Sequence, residues 1–316
     1  MLEYIKVKDY KHIVHIINLW NAEYKSLYPI DKKLFKSLVL DDPNFNPEAS
    51  FVAMYDSEPV GFIFIKNWLS ESGLANENDT AHISLIFVKK EMRNMGIGSD
   101  MLKLSVNELK KYRSVKKLVV GNEINKVFSG VPNDLVDTPI FFMNKGFSQT
   151  QGLVDMIRVA RTEMVDAPFD HKDLITRIAT EDDKDEILKL CVKNGWNREA
   201  FLINRYFEQG GSGRRIAVGE LNHKIVAFAR FNDEKKQPTR FKLFNKDKSL
   251  GYILFAKIDK DLKDEQYKEI LNQEAKNYLL KRGCKKIMIL ATSDLMFYKK
   301  MGYSACKYYL NFEYYF

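Results

Sequence analysis

A chain of 316 residues with 45% hydrophobic content is large enough for two cores of ordinary domain size. Its formal charge of +8 comes from 50 Lys and Arg mixed with 42 Asp and Glu along most of the length, so no single basic face points to nucleic acid. No apolar run reaches membrane-spanning length, and the N-terminus, MLEYIKVKDYKH, has charges where a signal peptide would place its apolar core, so a soluble cytoplasmic protein with no membrane or nucleic-acid partner is expected.

Leu2 to Lys6 reads as a short strand, and Ile13, Ile16, Ile17 and Trp20 then stand at helical spacing behind Asp9, a suitable cap. A second helix is expected over Lys32 to Leu40, ended by Asp41-Asp42-Pro43. Ser50 to Tyr55 and Val60 to Lys66 are strands joined by a turn of Asp56-Ser57-Glu58-Pro59. The polar stretch from Trp68 to Thr80 is a loop, and the apolar strand Ile83 to Val88 follows it.

That strand leads through a charged turn into RNMGIGS, Arg93 to Ser99, and directly into a helix ending near Tyr112. Without Cβ atoms at Gly96 and Gly98, backbone N–H groups at a helix start can close on a bulky anion. The dinucleotide fingerprint would need a third glycine where Met101 stands, and a P-loop would need Gly-Lys-Ser/Thr. The alternative is a glycine-softened helix start that binds nothing. Lys117 to Val120 is the next strand, and Gly121 to Thr138 is too long and irregular for an ordinary connection. Pro139 suits the first turn of a short helix, Ile140 to Lys145, stopped by Gly146, and Phe147 to Arg158 closes this half as a strand.

The strand, turn, Arg-x-x-Gly-x-Gly and helix resemble the acetyl-CoA-binding motif of the GNAT superfamily of N-acetyltransferases. PIFFMNKGF, Pro139 to Phe147, resembles that family's second signature, and FSGVP at Phe128 to Pro132 is similar to bacterial two-domain members. The resemblance covers residues 1 to about 160. It implies an α/β (α+β) architecture of mixed, mostly antiparallel sheet flanked by helices.

Residues 161 to 174 are polar and read as a linker, after which the pattern begins again. Leu174 to Ala179 is a strand, Thr180 to Asp183 an N-cap cluster, and two helices follow, the second over Asn197 to Glu208. Arg215 to Glu220 and Ile225 to Phe231 form a hairpin, Leu250 to Ile258 the long strand, Glu265 to Arg282 the long helix and Lys286 to Leu290 another strand. KKLVVGNE at Lys116 is mirrored by KKIMILAT at Lys285, and FFMNKGF at Phe141 by FYKKMGY at Phe297, so the halves are duplicates. The expected domains are residues 1–162 and 175–316, joined by a linker at 163–174. The second copy's strand-to-helix turn, Asp259 to Glu269, has no glycine and four acidic side chains before Tyr267, so it should bind no coenzyme. The aromatic-dense KYYLNFEYYF, Lys307 to Phe316, could line an acceptor cleft but reads more economically as an edge strand packing at the interface between the domains.

Three widely spaced cysteines, Cys191, Cys284 and Cys306, lack a Cys-x-x-Cys or a nearby His pair, so neither a disulfide framework nor a metal site is expected. By the resemblance, the front half is an N-acetyltransferase with acetyl-CoA as cofactor and a small-molecule or peptide amine as acceptor. A non-catalytic acyl-CoA sensor or scaffold is the alternative. The binding residues implied are Ile86, Phe87 and Val88 on the strand and Arg93, Asn94, Met95, Gly96, Ile97, Gly98 and Ser99 in the turn. Glu123 and His82 are the candidate bases. Many relatives carry tyrosine as proton donor where this chain has Phe142, which has no proton to give; the corresponding residue of the second copy is Tyr298.

Overall fold

The computed structural model describes residues 1–68, 78–159, 173–233, 249–262 and 265–316. The expected linker therefore lies, up to residue 172, outside the described residues. The chain forms two compact units, the first comprising Met1–Leu153 with Tyr309–Phe316, the second the described parts of Val154–Gln237 and Asp247–Tyr308. The first holds β1 (Leu2–Lys6), α1 (Ile13–Tyr24), α2 (Lys32–Phe35), β2 (Phe45–Tyr55), β3 (Glu58–Asn67), β4 (Thr80–Val88), α3 (Ile97–Leu109), β5 (Lys117–Val120), β6 (Val131–Pro132), α4 (Asp137–Asn144) and the first part of β7 (Ser148–Val159). The second holds the rest of β7, β8 (Ile175–Ile178), α5 (Lys184–Asn194), α6 (Asn197–Glu208), β9 (Ile216–Leu221), β10 (Lys224–Asp233), β11 (Leu250–Ile258), α7 (Glu265–Lys281), β12 (Lys286–Thr292), α8 (Leu295–Lys300) and the start of β13 (Ser304–Tyr315).

In the first unit β1 to β5 are neighbours in sequence order, antiparallel except for the parallel pair β4 and β5. One apolar layer, including Trp20, Phe62, Phe64 and Phe87, packs under α1 and α2. The other, including Ile97, Met101, Phe142 and Phe312, packs under α3 and α4. Gly61 allows α3 to lie close on the sheet, since a Cβ there would stand 2.9 Å from Phe87 O and 3.2 Å from Met101 Cε. Tyr4 donates to Asp100 Oδ2 at 2.8 Å and Lys6 pairs with Glu108 at 3.1 Å, fixing α3 against β1.

Several local expectations shift. Asp9 does not cap α1; it ends a 3₁₀ turn, Val7–Asp9, because Tyr10 is buried and its N–H closes on Val7 O. β2 starts at Phe45, earlier than expected, although it contains Pro47. Its register is irregular between Asn46 and Phe51, and Asn46 Oδ1 replaces ladder partners by accepting from the N–H groups of Glu48 and Ala49. α2 runs into a π turn, Lys36–Leu40, and α4 begins at Asp137, ahead of Pro139.

The last strand departs most from expectation. It is not an edge strand: its end pairs antiparallel with β5, Glu313 opposite Val119, and belongs to the first unit. Val154 to Val159 of β7 conversely pair with β12 in the second unit, Ile287 opposite Arg158. The compact units are therefore not contiguous in sequence, because each borrows the final strand of the other half and satisfies that strand's backbone with ladder bonds.

The second unit's sheet continues from β12 through β11, β10, β9 and β8, with β11 and β12 parallel. Thr180 and Asp183 form a reciprocal capping box, and Asn222 (φ 49°) and His223 (φ 61°) make the tight turn of the β9–β10 hairpin. The duplication persists in detail: α4 and α8 are each followed by a left-handed glycine, Gly146 (φ 82°) and Gly302 (φ 81°), and then by a strand of 12 residues. Among the described residues no helix is long and apolar enough to cross a membrane. None of the described residues form a group of three or more His, Cys, Asp or Glu suited to a metal.

Candidate active site

The site begins with one extra residue in β4. Phe64 stands opposite Leu85 but Ile65 opposite Ile83, so Ser84 is bulged out of the ladder. The packing shows the consequence: Ala81 and Ile83 belong to the α3-side layer, whereas Leu85 and Phe87, two and four residues on, belong to the α1-side layer. β5 stops pairing at the same point, its last partner being Ile83 opposite Val120, with Gly121 N–H on Ile83 O at 2.8 Å. Beyond the bulge β4 has no strand partner on that side among the described residues. Lys89 N–H bonds Val60 O across β3, so strand alternation directs Phe87 N–H toward β3 and the N–H groups of Ile86 and Val88 to the open edge.

The turn into α3 continues that open donor surface. Asn94 (φ 64°) and Gly96 (φ 85°) are both left-handed, the backbone pattern that gathers N–H groups into an anion-binding concavity. The helix ladder opens with Asp100 N–H on Gly96 O, and among the described residues the N–H groups of Asn94, Met95, Gly96, Ile97, Gly98 and Ser99 have no protein partner. Asn94, Met95 and Gly96 are exposed, whereas the Ile97 side chain is buried and offers only its backbone. A Cβ on Gly96 would meet nothing within 4 Å; one on Gly98 would touch Phe141 at 3.4 Å and Val88 at 3.6 Å. Gly96 thus serves the backbone conformation, and Gly98 the packing of α4 against the start of α3. The Arg93 guanidinium is held by the protein itself, donating to Val88 O at 3.0 Å and pairing with Glu23 at 2.5 Å.

His82, in β4, and Glu123, in the loop after β5, line one small cavity together with Asp42, Lys66 and Asn125. Glu123 is 2% exposed, and its Oε1 accepts from Ser84 Oγ at 2.5 Å and Val127 N–H at 2.9 Å. Lys66 Nζ, 1% exposed as a residue, lies 3.0 Å from Asp42 Oδ2 and 3.5 Å from Glu123 Oε1. Burial opposes ionisation of Glu123, but Lys66, the Ser84 hydroxyl, His82 and the Val127 N–H outweigh it and hold the carboxyl below its ordinary range. His82 Nδ1 lies 2.8 Å from Gly121 O. A carbonyl only accepts, so Nδ1 carries the hydrogen and Nε2 is the basic nitrogen of the neutral ring.

Phe142 is fully buried against Phe141, Phe147 and Phe312, a core residue. In the second unit Tyr298 is buried too, its hydroxyl 3.4 Å from Asn272 Oδ1. There the turn after β11 is tied down by α5: Lys193 pairs with Asp259 at 2.7 Å, and Lys260 N–H donates to Asn194 Oδ1 at 2.8 Å. Residues 263–264 of that turn lie outside the described residues. Sequence reasoning missed Ser84, Lys66 and Asp42. Their signal was present, since Ser84 is the one polar residue in the Ile83 to Val88 run and Lys66 ends an apolar strand with a charge.

Residues 13–126 match the family model described as acetyltransferase (GNAT) family. No curated protein sequence matches significantly. Among solved structures, a GCN5-related glucosamine N-acetyltransferase region from a fungal multi-domain β-N-acetylglucosaminidase superposes with a TM-score of 0.84 at 15% identity over 99% of this chain, which spans 38% of that protein's chain. A tandem GNAT protein from the clavulanic acid biosynthesis pathway gives 0.62 at 12% identity, covering 100% of this chain and 98% of that one. Saccharomyces cerevisiae N-myristoyltransferase, solved with bound myristoyl-CoA, gives 0.56 at 12% identity, covering 99% and 78%. Residues 13–126 are thus similar to the GNAT acetyltransferase family, and the solved neighbours share this chain's fold along its length.

Proposed function

We propose that the chain is an acetyl-CoA-dependent N-acetyltransferase, with the chemistry in the first unit and a primary amine of a small molecule or peptide as acceptor. The observation that carries this reading is the Ser84 bulge, which frees the Ile86 and Val88 N–H groups along one edge that runs on into the unpartnered amides of Asn94 to Ser99. The helix-start amides are suited to the diphosphate, and the strand edge to the pantetheine arm and the thioester carbonyl, whose oxygen gains negative charge when an amine attacks. Phe87 supplies packing rather than a backbone donor.

His82 is the better base of the two candidates. Glu123 is an ion-paired anion whose lowered pKa makes it a weak proton acceptor; it is suited to hold positive charge on His82. His82 lies four residues from Ile86, about 13 Å along a strand, so a proton leaving the amine reaches Nε2 through water. The amine nitrogen bonds the acetyl carbon, the carbon–sulfur bond breaks, and coenzyme A leaves as the thiolate and takes its proton from water, since Phe142 offers none. The second unit, with its turn closed by Lys193 and Asn194, is assigned no coenzyme.

The test is steady-state release of free thiol from acetyl-CoA across a panel of amines. Turnover with at least one amine, reduced about 10²-fold or more in kcat by His82→Ala with KM for acetyl-CoA little changed, supports the reading. Tight acetyl-CoA binding without turnover would instead support a sensor, the reading that the buried Phe142 favours.

A further inference from the structure

The two units place buried charge at matching points, the last two residues of each hairpin's second strand, but they balance it differently. In the first unit Lys66 meets the carboxylates of Asp42 and Glu123. In the second, Arg215 and Arg282 converge on Asp233, and Arg230 lies beside Arg215. Asp233 is committed to Arg282, whose Nη2 and Nε lie 2.6 and 2.8 Å from its Oδ2. Arg215, only 3% exposed, reaches Asp233 Oδ1 at 3.7 Å, and its buried Nε has no hydrogen-bond partner. Arg230, 7% exposed, has no ion-pair partner among the described residues: its Nη1 donates to the carbonyls of Arg215 (3.1 Å) and Phe231 (2.5 Å), and its plane lies 4.2 Å from the Tyr206 ring centroid.

Neutral carbonyls and a ring do not cancel a charge. Arginine does not escape burial by losing its proton; even with burial and the neighbouring Arg215 pushing it down, Arg230 falls only to about 10. Among the described residues, two guanidiniums, one just before β9 and one within β10, therefore stand in a desolvated site short of negative charge, with a donor unspent. The planar fork of a guanidinium matches two oxygens better than a spherical ion.

We infer that the second unit carries a binding site for a compact oxyanion, a phosphate or a carboxylate group, held by Arg215 and Arg230 beside Tyr206. This site rests on the second unit alone and does not depend on the coenzyme assignment in the first.

The experiment is a titration of the full chain with inorganic phosphate, sodium acetate or sodium chloride at matched ionic strength, reading the unfolding midpoint and, for phosphate, the ³¹P line width. The helix-start amides of the first unit also attract phosphate, so the titration is run in parallel on Gly96→Asp. A saturable rise on the order of 5 °C in phosphate or acetate over chloride, kept in Gly96→Asp and lost in Arg230→Met and Arg215→Gln, is expected. A response to phosphate alone identifies a phosphate group as the ligand chemistry, and a response to acetate a carboxylate. Arg230→Met should fold, with an anion-free midpoint equal to or above that of the parent, because it removes an uncompensated buried charge. The inference is overturned if neither oxyanion exceeds chloride in Gly96→Asp, or if the response survives in Arg230→Met.

Discussion

The hydroxyl of Ser84 donates to Oε1 of Glu123 at 2.5 Å, joining the one extra residue of β4 to the loop that follows β5. That bond spans the place where the two parallel strands part. It holds Glu123 beside Lys66 and ties the geometry of the open strand edge to the charge of the cavity.

Glu123 should therefore show in the acid limb of the stability curve. Its folded pKa lies below the ordinary 4.5, with burial opposed chiefly by Lys66 and Ser84. Its contribution is complete above that value and is lost as pH falls through the lower, folded value. Urea midpoints from pH 6 to pH 3 should fall more steeply below about pH 4.5 for the parent than for Glu123→Gln; parallel curves would remove Glu123 from the account.

Lys66 is the cation on which that cavity depends. Lys66→Met leaves the buried carboxylates of Asp42 and Glu123 without it and should destabilise the first unit by about 3–5 kcal/mol. Adding Glu123→Gln should recover part of the loss, whereas strict additivity in a double-mutant cycle would mean the two residues do not interact.

At Gly96 conformation and charge can be separated. The open space around its missing Cβ means that Gly96→Ala pays only for left-handed backbone, roughly 1–2 kcal/mol. Gly96→Asp adds a negative charge at the amides of the α3 start. Calorimetry should give acetyl-CoA affinity lowered modestly by alanine and about 100-fold or more by aspartate, with both proteins folded; equal affinity for parent and Gly96→Asp would displace the site.

The borrowed strand predicts damage at a distance in sequence. Phe312 is fully buried against Phe142 in the first unit, so Phe312→Ala should cost about 3–5 kcal/mol there. Removing Tyr309–Phe316 should unfold the first unit and abolish acetyl-CoA binding. Hydrogen exchange of β5 amides unchanged after the truncation would contradict the strand exchange.

Much of this was legible because it is local. The Arg93 to Ser99 turn, the hairpins and the duplicated KK-strand and aromatic-glycine segments rest on short-range periodicity and on glycines whose φ angles, at Gly146 and Gly302, agree within a degree. Gly98 was legible as a residue but not in its role, which depends on Phe141 lying over it. Arg93 was likewise marked by the motif, but only the fold shows Glu23, seventy residues away, holding it.

By itself the sequence determined two like halves, the elements of each, and a glycine-bearing helix start in one of them, since propensity and pattern act over a few residues. Only the tertiary structure decided that Ser84 is a bulge, that His82 and Glu123 share a cavity with Lys66, and that each half finishes the other's sheet. Strand register and the pairing of buried charges are settled by partners distant along the chain, where one skipped residue reverses every face and leaves no trace in local composition.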